Sequence, residues 1–107
     1  MLGETVGSIN ISTTGYLIQR TNKTTNTIEY PETTIFHIHL ISGSGGGTVL
    51  TIANGSGGTQ QINATGTTSK GIDFDFGIWG ITFPAGAYVT VDSNISNAVI
   101  TCKGSKF

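Results

Sequence analysis

Charge is scarce in this chain: of 107 residues only 10% are Asp, Glu, Lys or Arg, against roughly 25% in an average soluble domain. The five basic residues, Arg20, Lys23, Lys70, Lys103 and Lys106, form no run. No stretch neutralises several phosphates together, so nucleic acid is not expected as a partner. Long apolar runs are also missing, and none approaches the roughly 20 residues with which a helix crosses a bilayer. No membrane partner is expected. The N-terminus, Met1-Leu2-Gly3-Glu4-Thr5, lacks the basic and apolar regions of a signal peptide, and the expectation is cytosolic synthesis without Sec export. Cysteine occurs once, at Cys102, which excludes an internal disulfide. Its place in the alternating run Ala98-Val99-Ile100-Thr101-Cys102 predicts a buried or half-buried thiol.

Helical periodicity over three turns is missing as well. What the chain has instead is Gly, at 16 positions, with abundant Thr, Ser and Asn, which suit pleated surfaces and turns better than helices. At this length there is room for one domain. The clearest alternation runs from Thr33 to Ile41, with Phe36, Ile38 and Leu40 on one face and Ile35, His37, His39 and Ile41 on the other. Ser42 to Gly47 ends it, and strands are predicted at Thr48 to Ala53 and Gln60 to Ala64, the three together reading as a meander. A second block after Gly71 alternates Ile72, Phe74 and Phe76 with Asp73 and Asp75. Ile81-Thr82-Phe83 then meets the tight turn Pro84-Ala85-Gly86. Ala87 to Val91 and Ala98 to Cys102 read as a hairpin across Asp92 to Asn97. Earlier strands are predicted at Val6 to Ser12, Tyr16 to Arg20 and Thr27 to Tyr30, the last stopped by Pro31. About eight short antiparallel strands with a turn every ten residues or so predict an all-β fold, a single small β-sandwich or jelly roll. Residues 1–12 read as an N-terminal arm or first strand, and 13–107 as the sandwich.

Few residues suggest chemistry. His37 and His39 lie at i and i+2 and share a strand face; Asp73 and Asp75 offer a second same-face pair if their strands are neighbours. A transition metal would need these four together, or six imidazole nitrogens from three copies around an axis. The plainer reading is two hydrogen-bonding histidines and one wet strand face. No serine sits in Gly-x-Ser-x-Gly before a helix, since Ser44 in Gly43-Ser44-Gly45 has none to follow. The glycine loops lack the Lys-Ser/Thr ending of a phosphate cradle. Asn-x-Ser/Thr triplets begin at Asn10, Asn22, Asn54, Asn63 and Asn94, but a chain without an export signal gives them no glycosylating compartment. No catalytic residue, no cofactor and no enzymatic activity are therefore expected. Tyr16, Tyr30, Trp79 and Tyr88 are candidates for stacking on sugar, although Trp79, between Ile78 and Ile81, reads as core.

The C-terminal half carries a resemblance. Gly80-Ile81-Thr82-Phe83-Pro84-Ala85-Gly86-Ala87-Tyr88-Val89-Thr90-Val91, followed by Ala98-Val99-Ile100-Thr101, resembles the ending of small tailed-bacteriophage virion proteins. Upstream, Ile35 to Leu40 and Thr48 to Ile52 are similar to the strand pair that precedes it there. The resemblance spans residues 33 to 103. It implies a homo-oligomeric β-sandwich, a trimer above all, that decorates or cements a capsid by binding the major capsid protein; a head–tail or tail accessory role is the variant of the same idea. Localisation would be the virion surface after synthesis in the host cytoplasm. Chain ends next to strands can add to a neighbour's sheet, which makes Met1, Leu2, Val6 and Phe107 the expected partner contacts. A carbohydrate-binding sandwich is the rival of a different class.

Overall fold

The computed structural model describes residues 5–43, 47–67 and 71–104. Eleven strands follow in chain order: β1 (Thr5–Ile11), β2 (Gly15–Tyr16), β3 (Arg20–Asn22), β4 (Thr27–Glu29), β5 (Thr33–Ser42), β6 (Val49–Asn54), β7 (Gln60–Thr65), β8 (Gly71–Asp75), β9 (Ile81–Phe83), β10 (Ala87–Val91) and β11 (Ile95–Gly104). No helix is present among the described residues, as the Thr, Ser and Gly content dictates.

One sheet has the order β1-β11-β5-β8, with β9 also pairing β5; the other has the order β2-β10-β6-β7. Every pairing is antiparallel. Setting aside the small β3–β4 hairpin and β9, the first strand pairs the last (β1–β11), the second the next to last (β2–β10), and so inward through β5–β8 to β6–β7. That nesting is one long hairpin rolled onto itself, the jelly-roll form of the β-sandwich. The count is eleven rather than about eight because β3–β4 is inserted ahead of β5 and a turn at residues 76–80 separates β8 from β9.

Two local expectations fail for the same topological reason. Ala87 to Val91 and Ala98 to Cys102 form no hairpin, since β10 pairs β2 and β6 while β11 pairs β1 and β5. The meander is likewise reduced to its second half: β6 and β7 pair, but β5 lies in the opposite sheet. The links 92–94 and 43–48 join strands of opposite sheets instead of reversing the chain within one sheet.

The core lies between the sheets. Ile35, Ile38, Leu40, Ala98, Ile100 and Cys102 enter it from one side and Leu50, Ile52, Ile62, Ala64, Ala87 and Val89 from the other, with Leu17 and Phe83 completing it. Complete burial of each larger aliphatic side chain contributes about 1.5–3 kcal/mol. Strict alternation would put Ile35 on the outer face with His37, yet Ile35 is fully buried. The register explains this: Thr101 faces His37, Cys102 faces Ile35, and Phe36 is left as the extra residue of a bulge. A bulge shifts the strand by one residue, so odd positions point inward before it and even positions after it.

Candidate surface site

The bulge has a direct consequence for the surface. Downstream of it His37 and His39 face outward on β5, and β8 lies alongside with His39 opposite Asp73 and His37 opposite Asp75. The expected juxtaposition of the two pairs is therefore present in the backbone, but the side chains use it unevenly. His39 Nδ1 donates to Asp73 Oδ1 at 2.8 Å, and His37 Nε2 reaches the same oxygen at 3.1 Å. Hydrogen bonding from His39, the largest influence, holds the exposed Asp73 carboxyl below its ordinary value. Asp75 turns away and accepts the Gly77 N–H at 2.8 Å. Among the described residues no group of three or more His, Cys, Asp or Glu has a metal-holding arrangement. What the cluster does is tie the edge strand β8 to β5.

Beyond Asp75 the chain leaves the sheet. Phe76 N–H still donates to Phe36 O at 2.9 Å, Gly77 and Gly80 take φ of +81° and +67°, and β9 then rejoins β5. Ile78 and Trp79, at the tip between these glycines, are 84% and 85% exposed. The expectation that Trp79 belongs to the core is overturned: two left-handed glycines reverse the chain outside the sandwich, so the flanking Ile81 returns to the sheet while the tip does not. Gly80 is held by close approach as well as by its φ, since a Cβ there would lie 2.6 Å from Ile35 O. The pattern Gly77-Ile78-Trp79-Gly80 is a signal that could have located the tip, because paired glycines punctuate a turn.

A third feature joins aromatic residues far apart in the chain. The rings of Tyr16 and Tyr30 stack at 3.6 Å between centroids, 8° from parallel, and Tyr88 meets Tyr16 edge-on at 5.1 Å. The Tyr16 hydroxyl accepts the Ser56 N–H at 2.9 Å. Trp79 is thus separate from a tyrosine cluster whose members partly cover one another; Tyr30 remains 38% exposed. No pocket occurs among the described residues. Cys102 lies in the core, where burial pushes its thiol up to about 11, so it is not poised as a nucleophile.

Of the expected partner contacts, Met1, Leu2 and Phe107 lie outside the described residues, and Val6 is in the edge strand β1 opposite Lys103. No protein-family profile, curated protein or solved structure matches the chain.

Proposed function

We propose that this chain is a non-enzymatic structural component of a tailed-bacteriophage virion, a capsid decoration protein that binds the major capsid protein shell and assembles with identical subunits. The observation that carries the reading is the tip Ile78–Trp79, two large apolar side chains almost wholly exposed on a turn braced by Gly80 and by the Phe76–Phe36 hydrogen bond. Exposed tryptophan on a braced support is what a protein contact uses as an anchor, with little side-chain entropy to lose on docking. The jelly-roll topology supports it by analogy, because that architecture serves viral capsid and lectin domains, and the resemblance across residues 33 to 103 supports it on the sequence side. A head–tail or tail accessory position would use the same surface.

Purified particles test the reading. The protein is expected at a fixed copy number on mature particles, and I78A/W79A should lose particle association while keeping the wild-type fold by circular dichroism. Its absence from particles, or unimpaired association of the folded variant, rejects the capsid role.

A second reading, a carbohydrate-binding sandwich, is favoured by the same exposure of Trp79 and by the stacked tyrosines, since aromatic faces receive sugar rings. A glycan screen read by Trp79 fluorescence separates the two. Saturable quenching by a sugar supports the second reading, and a flat response across the screen removes it.

A further inference from the structure

We infer that two copies of this chain join through the outer edge of β1, pairing β1 with β1 antiparallel about a two-fold axis at Ile9. The argument begins with the edges that the jelly roll leaves open. An unpaired strand edge is a template for another chain, and proteins blunt such edges by shortness, charge, proline, bulges or interruption. Three of the four edges of the sandwich carry such a device. The β8–β9 edge is broken by the turn at 76–80 and bears Asp73 and Asp75; β2 has two residues; and β7 carries an extra residue at Gln61, where pairing passes from Ile52–Ile62 to Ala53–Gln60. β1 carries none. It runs for seven residues, Thr-Val-Gly-Ser-Ile-Asn-Ile, without charge or proline, and its register with β11 is unbroken from Thr5–Gly104 to Ile11–Ala98. Among the described residues it pairs on that side alone.

The strand is also self-complementary. Centred on Ile9, antiparallel pairing sets Gly7 opposite Ile11 and Ser8 opposite Asn10, so that the two faces of the pleat stay in phase across the axis. Ile9 and Ile11 are only partly buried against the core, and the matching isoleucines of the second copy would cover what remains. Ser8 and Asn10 are exposed on the other face. No charge meets its own image. Strand addition in a ring of three needs two different open edges on each subunit, whereas a two-fold needs one. The edge inventory therefore selects a dimer over the trimer that the resemblance implies, and it does so whether or not the chain is a virion component.

Light scattering on the purified full-length protein over a concentration series tests this. The expected mass is twice that of one subunit. S8K/N10K, which sets ammonium groups against ammonium groups across the axis, should halve it, and S8K/N10D, which sets ammonium against carboxylate, should restore it. Alternate β1 amides of the wild type should also exchange more slowly as concentration rises, a readout that needs no variant. A wild-type mass of one subunit or of three overturns the inference, as does a dimer that survives S8K/N10K or whose β1 amides ignore concentration. These outcomes are independent of whether particles carry the protein.

Discussion

Asp92 shows how a single exposed side chain can secure a loop in a protein with so few charges. It accepts the Thr48 hydroxyl and the Val49 and Asn94 amides, which ties the start of β6 to the link between β10 and β11. The Thr48 bond is the largest of the influences that hold its carboxyl below the ordinary 3.8. A carboxyl depressed in the folded state adds stability above its unfolded value and loses it as pH falls through the folded one. Asp92→Asn should therefore lower Tm at neutral pH, with the difference from wild type vanishing below the ordinary carboxyl range. Thermal melts across an acid titration check this, and a gap that persisted at low pH would assign the loss to geometry instead of charge. Asp73 has the same sign, through His39. Both residues were visible in the sequence as polar positions at strand ends or on a wet face, but their partners were not. Thr48 and Asp92 are brought together at one end of the β6–β10 pairing, and no local spacing announces that.

At the scale of elements, the turn between β8 and β9 and the bulge at Phe36 form one device. The bulge turns Ile35 into the core and leaves His37 outside, while Gly80 lets the chain pass against the bulged backbone on its way into β9. Gly77 has the same left-handed φ but open space around its missing Cβ. The two glycines should thus separate on substitution. Gly77→Ala is expected to cost about 1 kcal/mol, the strain of φ alone, and Gly80→Ala distinctly more, because its Cβ meets Ile35 O. Urea unfolding of the two variants measures the difference, and equal losses would show that the contact relaxes freely. Strand positions at Thr33 to Ser42, Val49 to Asn54 and Gln60 to Thr65 were legible because apolar residues recur every second position there. The bulge was not, since Ile35 and Phe36 are both apolar and either suits the inward position, and only pairing with β11 chooses between them.

For the whole molecule, the core is one unit shared by both sheets, and Cys102 is its internal reporter. The thiol sits on β11, which pairs the first strand on one side and β5 on the other, and 2% of the residue is exposed. Exposing it requires parting the sheets, so alkylation in native buffer should be slow and should quicken with urea in step with global unfolding. A thiol that reacts fast well before the unfolding transition would mean that β11 opens locally, contrary to its central place.

The all-β class, the absence of a disulfide and the punctuation by glycine follow from the sequence by itself, because they rest on local propensity and on period-two alternation. Which strands pair, that β10 and β11 part company, and that Ile35 is buried while His37 stays outside were decided by tertiary structure alone. Alternation states that a strand has two faces. Only the partner strand, its register and the opposing sheet determine which face is covered, and those contacts join residues that no local pattern connects.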